Sequence, residues 1–432
     1  MVVIGCAALV VVFIAAYVLQ IAPFWSYSGL LDRPSGDGSL LLPMLLSLLP
    51  ALWMPIEIER PSQLVLWGIY LLIYIPSELV PYLTLSQGWG TTWLSLSLAV
   101  GFRVLLLAPD VTLRRPQLPR MRATAFRRLV LGAAVLGLAV AVVVFGIPNR
   151  LPSNTSTTRT DYKTTLGATS VIVSYIVSWS REILLPALMI IGLQWRRYGL
   201  VAAAVVGMVY LYAVTAFKAT VLLIGLVVVV YVALAYLRRW MGMLLPWGLA
   251  LVVLFTGLAH VLGFVLPFSL LVRRLLAVPG SLTGYYYDYF TTHPPYLLSH
   301  SILSGIAARP SPLSPPNLIG SVYYGNPQVS ANGNFWADGL ANFGLPGIFV
   351  ATLVLFLVLV VLDAAARGRP VVPVVCLLAT ACISLSNSAL LTSLMTHGLL
   401  VAIVIAALWP DERLAGVRAP RDASQPTTAV AM

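Results

Sequence analysis

Runs of about 20 apolar residues, broken by short polar connections, recur along nearly the whole chain. That length is what an α-helix needs to cross the roughly 30 Å hydrocarbon core of a bilayer. Twelve such stretches are predicted as spans, at approximately 2–21, 39–55, 63–84, 92–108, 129–147, 167–194, 199–216, 219–237, 241–268, 345–363, 371–390 and 393–410. The stretch 39–55 is short and holds Pro43 and Pro50, and 241–268 is expected to bend at its end. One long segment breaks the rhythm. Residues Arg273 to Leu345 carry Arg273 and Arg274, an aromatic cluster from Tyr285 to Phe290, His293, His300 and a glycine-rich run from Asn332. The pattern predicts an all-α, polytopic integral membrane protein of about twelve transmembrane helices. Residues 1–272 hold the first nine, 273–344 form one large external loop, 345–410 hold the last three, and 411–432 are a disordered cytoplasmic tail.

Composition supports that reading. Hydrophobic residues make up 59% of the 432 and charged residues 9%, against roughly 25% charged in soluble domains. Such a chain cannot hide its apolar surface in one aqueous core, and helices satisfy every backbone group within an apolar segment. The net charge of +12 therefore speaks to topology, and nucleic acid is not expected as a partner. Arg60, Arg114 to Arg128, Arg196, Arg197, Arg238, Arg239, Arg367, Arg369 and the tail arginines fall on one side of the predicted spans. Arg33, Arg150, Arg159, Lys163, Lys218, Arg273, Arg274 and Arg309 fall on the other. The bias of about two to one places both termini in the cytoplasm and the 273–344 loop outside. Cys6, Cys376 and Cys382 sit in apolar stretches, which argues against a disulfide framework or a metal cluster. The N-terminal stretch lacks a basic leader and is expected to be a retained first span.

Ionisable residues inside spans are functional candidates by default, since a central charge costs at least roughly 2.5–3.5 kcal/mol. Arg181 and Glu182 are mid-span, with Ser174, Ser178 and Arg181 on one helical face and Tyr175, Trp179 and Glu182 on the next. The alternative is a structural Arg–Glu pair with a partner helix. Glu78 lies between Pro76 and Pro81, Arg103 is read as snorkelling, and His397 as a hydrogen-bonded packing histidine. Lys218 falls at a tight external turn. The Asn332–Gly347 run lacks Walker order and follows no predicted strand, which excludes nucleotide binding there.

A basic pair, a short apolar run, Pro279-Gly280 and the Tyr-Tyr-Asp-Tyr-Phe cluster together resemble the external loop of bacterial oligosaccharide repeat-unit polymerases of the O-antigen polymerase type. Asp338-Gly339, Asn342-Phe343-Gly344 and Gly347 are similar to that family's second loop motif, and Phe217-Lys218 to its short basic motif. The likeness covers residues 215–363, without the strongly basic glycine turn the family shows near 215–220. It implies glycosyl transfer at the external face of the bacterial cytoplasmic membrane, between a polyprenyl-pyrophosphate-linked glycan donor and a lipid-linked acceptor. A chain-length regulator and a flippase are the implied protein partners. Cationic donors must stabilise the leaving pyrophosphate, and a base must take the acceptor's proton. On this reading Arg273, Arg274, Arg181 and Lys218 bind pyrophosphate. The base is His293, His300 or Asp338, and Tyr286, Tyr289 and Trp336 stack on sugars. No metal or other cofactor is expected. The rival readings are a ligase of the same architecture, a polyprenyl-phosphate-sugar glycosyltransferase acting through Asp32 or Asp37, and a lipid-linked oligosaccharide flippase or transporter.

Overall fold

The computed structural model describes residues 1–31, 40–85, 90–113, 121–301, 304, 305 and 307–410. Asp32 and Asp37, the basic residues Arg114, Arg115 and Arg120, and the tail beyond Pro410 lie outside them. Among the described residues all regular structure is helical. Ten helices are long and apolar enough to cross a membrane: Val2–Ser28, Pro61–Thr84, Gly90–Asp110, Ala123–Phe145, Val171–Gln194, Tyr198–Thr215, Lys218–Val261, Val265–Phe290, Pro346–Ala366 and Leu390–Leu408. The chain is thus a polytopic helical membrane protein.

The count departs from twelve for identifiable reasons. Two expected spans, at Leu41–Leu52 and Val371–Asn387, are shorter apolar helices. Two others are fused in the 44-residue helix Lys218–Val261. That helix would run about 66 Å at 1.5 Å per residue, roughly twice the hydrocarbon thickness. The 3₁₀ turn at Arg238–Trp240 is therefore the natural boundary between two crossings.

The larger difference is Val265–Phe290, a helix where the sequence predicts the start of a loop. Its first turn stacks Phe268 on Trp25 and His260, with ring centroids 5.9 and 5.1 Å apart. Its last turns reach Gly29 through the Tyr285 hydroxyl and the Gly90 carbonyl through the Tyr287 hydroxyl. Val2–Ser28 and Met241–Val261 run side by side in the same direction, Gly5 against Trp247 and Gly257 against Gln20. Trp25, Gly29 and His260 therefore mark one end of the bundle. Both ends of Val265–Phe290 return to that end, although its middle packs Gly280 against Pro76 and Val80. It is laid into the bundle's end, which keeps what precedes and follows it on one side.

The opposite end is clamped by side chains reaching between loops. Arg238 pairs with Glu57 at 3.1 Å, Arg367 Nη1 donates to the Leu113 carbonyl at 3.0 Å, and Asp363 accepts from the Ser62 backbone at 3.0 Å. Between the two ends, stacked rings of Tyr70, Tyr74 and Phe102 fill the core beside Trp67 and Trp336.

The glycine-rich run after Asn332 serves close packing. Asn334 caps Phe335–Phe343, its Oδ1 accepting from Trp336 N at 3.0 Å and Ala337 N at 3.1 Å. Gly339 on that helix meets Gly347 on Pro346–Ala366 so closely that a Cβ on either falls on the other's carbonyl oxygen. Gly339→Ala is therefore expected to cost about 1–3 kcal/mol by overpacking. Gly132→Ala, where a Cβ meets open space, is expected to be neutral. Thermal unfolding of the detergent-solubilised protein checks both.

Candidate functional site

The carboxylate of Glu182 sits deep in an apolar helix and must be compensated. It lies on a π-helical turn, Ser180–Leu184, inside Val171–Gln194. Such turns widen the backbone locally and recur at functional positions. Arg181, next in sequence, closes an ion pair with it. The second partner comes from the far end of the chain: His397 Nδ1 lies 2.9 and 2.8 Å from the two Glu182 oxygens. On the other side of the ring, His397 Nε2 lies 2.9 Å from Ser388 Oγ. A carboxylate only accepts, so Nδ1 carries a hydrogen, and in the neutral ring Nε2 accepts from the serine hydroxyl.

Breaks in the last helices make this contact. Ser388 and Ala389 are extended between Val371–Asn387 and Leu390–Leu408. Gly398 has φ of 77°, in the left-handed region that favours glycine, and a Cβ there would press to 2.9 Å on Ile183 and 3.0 Å on Trp179. The Trp179 indole donates to the Met395 carbonyl at 2.6 Å, satisfying one carbonyl freed by the break. Irregular backbone of this kind is tolerated inside a bundle where it lines a polar cavity.

A cavity of about 330 Å³ lies there. It is lined by Ser388, Thr392 and His397 from the last helices and by Tyr286, His300, Asn332 and Asp338 from earlier in the chain. His300 Nε2 is 3.7 Å from Asp338 Oδ1. The cavity is recessed. Gly398 packs on Ile183, and Glu182 is twelve residues from the helix end at Gln194, roughly 18 Å along the axis.

Behind Glu182 the site turns cationic. The ring of Phe217 is flanked by Arg181, 4.6 Å from its centroid, and Arg159, 5.2 Å away. Arg159 comes from Thr155–Gly167, a polar helix outside the spans, and donates to the Ala216 carbonyl at 3.2 Å. Burial, and after it the nearby Arg274, hold this guanidinium below the usual arginine range. Arg274 and Arg273 occupy another π-helical stretch, Ser269–Ala277. Arg273 binds Ser269 Oγ at 3.1 Å and lies over Trp25, 5.2 Å from the ring centroid.

The structure sorts the residues predicted from sequence. His300, Asp338 and Tyr286 line the cavity, and Arg181 with Arg274 belongs to the adjoining cationic group. His293 does not join them: its exposed ring stacks on Tyr289 at 3.9 Å and bonds that residue's own carbonyl at 2.9 Å. That stacking also occupies a face of Tyr289. Trp336 is fully buried, its indole donating to Thr352 Oγ1 at 2.9 Å, so its faces are closed to a sugar. Lys218 is exposed at the start of its helix. His397 does hydrogen-bond inside the protein, as expected, but it also faces the cavity. Sequence reasoning missed Ser388 and Arg159. A serine after Asn387 at a helix break, and an arginine on a polar helix, carry little signal until the fold brings them to His397 and Phe217.

Comparison of the chain with known protein families, with characterised proteins and with solved structures finds no match. The site must be interpreted on its own chemistry. As a check on Trp336, Trp336→Phe is expected to lower stability by about 1 kcal/mol through loss of the Thr352 hydrogen bond. Thermal unfolding reads that loss, and a dependence of saccharide binding on the indole would contradict the placement.

Proposed function

We propose that this protein polymerises polyprenyl-pyrophosphate-linked oligosaccharide repeat units at the external face of a bacterial cytoplasmic membrane. The observation that carries the reading is the pairing of two environments at one end of an apolar bundle. A polar cavity holds two histidines, each beside a carboxylate. Next to it Arg159 and Arg181 flank Phe217, Arg181 pairs with Glu182, and Arg274 acts electrostatically on Arg159. Planar guanidinium groups suit the oxygens of a pyrophosphate, and a membrane-embedded setting suits a substrate that carries its own lipid. The cavity suits the sugars, with Tyr286 and Asn332 on its wall.

The chemistry asks for little more. Pyrophosphate leaves readily once its charge is met by fixed cations. The acceptor hydroxyl needs a group to take its proton, and both sugars must be held in line. The basic residues of the clamped end, Arg60, Arg238 and Arg367, support a cytoplasmic position for that end and an external one for the cavity. The resemblance of the Arg273–Phe290 and Asn332–Gly347 segments to O-antigen-type polymerases agrees with this direction.

The test is reconstitution in detergent with lipid-linked repeat unit extracted from the producing cells, resolved on a carbohydrate gel. Wild type is expected to form a ladder. Arg159→Ala and Arg274→Ala are each expected to lower its formation about 10²-fold or more, as for loss of a donor to a developing anion. Lys218→Ala, at an exposed position, is expected to lower it less. Transport of the same substrate across liposomes with no ladder would overturn the reading in favour of a carrier.

A further inference from the structure

Among the titratable groups lining the cavity, one is wired as a catalytic base. Ser388, His397 and Glu182 form an unbroken hydrogen-bonded series, Oγ to Nε2 at 2.9 Å and Nδ1 to carboxylate at 2.8 Å. The geometry is that of a hydroxyl, a base and an orienting acid. His300 and Asp338, across the same cavity, stand 3.7 Å apart, beyond a hydrogen bond.

We infer that His397 is the general base of glycosyl transfer, that Glu182 is its positioning residue, and that Ser388 occupies the place the acceptor hydroxyl takes. The inference rests on the polymerase reading and adds to it the atom that receives the proton. Glu182 holds the hydrogen on Nδ1 and so leaves the Nε2 lone pair facing the cavity. The Ser388 hydroxyl shows that an alcohol fits against that lone pair at hydrogen-bond distance. In the reaction an acceptor hydroxyl at this position gives its proton to Nε2 while its oxygen bonds to the donor's anomeric carbon. The bond from that carbon to the phosphate oxygen breaks. Its electron pair leaves on the polyprenyl pyrophosphate, whose charge the Arg159, Arg181 and Arg274 group meets.

Arg181 has a second consequence here. By pairing with Glu182 it offsets the cost of burying the carboxylate, and Glu182 then stabilises the imidazolium formed when His397 accepts the proton. Among the described residues, the charged and titratable groups around His397 are thus Glu182 and Arg181 from the neighbouring helix, with His300, Asp338 and Tyr286 lining the cavity.

The experiment uses the full chain in detergent, with lipid-linked oligosaccharide extracted from the producing cells as substrate and undecaprenyl pyrophosphate alone as the binding probe. His397→Ala is expected to lower turnover about 10²–10⁴-fold, to keep its thermal stabilisation by undecaprenyl pyrophosphate, and to recover part of its rate with added imidazole. His397→Gln, which retains a donor toward Glu182, provides a second variant should the alanine form fail to fold. Wild-type kcat/KM is expected to fall on the acid side as the base protonates, and Glu182→Gln to displace that limb. Ser388→Ala is expected to lower turnover far less than loss of His397. Turnover within threefold of wild type in a folded His397 variant would overturn the base assignment and leave the polymerase reading standing. Covalent labelling of Ser388 by a fluorophosphonate with loss of turnover would overturn it too, by making the serine the nucleophile. A wild type that forms no glycan at all overturns the functional reading and this assignment with it.

Discussion

Everything at the site depends on one buried carboxylate. Glu182 is nearly enclosed within an apolar helix, where a lone charge would be costly. Its compensation joins parts of the chain with no local reason to meet: Arg181 beside it and His397, 215 residues further on. Each partner then imposes something of its own. Arg181 draws Phe217 and Arg159 into a cationic group, and His397 brings the broken segment around Ser388 to the cavity wall. Removing the carboxylate would leave a half-buried arginine and an imidazole without the acceptor that orients them.

The backbone is irregular where this compensation is made. Arg181 and Glu182 sit on one π-helical turn and Arg273 and Arg274 on another. Ser388 falls in an extended break and Gly398 takes a left-handed conformation. Two further π-helical stretches, Tyr17–Ile21 and Tyr70–Tyr74, lie elsewhere in the bundle, which packs through aromatic stacking and close glycine contacts. At the site the departures fall beside polar groups, which is where a membrane protein can satisfy unpaired backbone from within.

The helical class was legible because it rests on composition and span length, both of which are local. The count was less so: hydropathy does not distinguish one bent 44-residue helix from two, nor reveal that Val371–Asn387 falls short. The Val265–Phe290 helix was hidden by Arg273 and Arg274, which read as the end of a span although the fold seats Arg273 on Ser269 and Trp25 within a helix. Of the site, the residues that broke a rule were visible: charges in a span, histidines and acids in a long polar segment. Their pairing was not. Nothing in periodicity joins Glu182 to His397, and Trp336 looks available for stacking until its burial by Phe335 and Tyr74 is seen.

On the proposed function the recessed cavity opens to the outside of the cell and receives a lipid-linked glycan. Thr392 is exposed on its wall, while Cys6, Cys376 and Cys382 are buried, so a cysteine placed at position 392 offers a nearly silent background. Labelling Thr392→Cys with a membrane-impermeant maleimide in intact cells tests the claim most directly. Rapid labelling from outside and protection by lipid-linked oligosaccharide are expected. Labelling confined to inverted vesicles, or unaffected by that substrate, would contradict it.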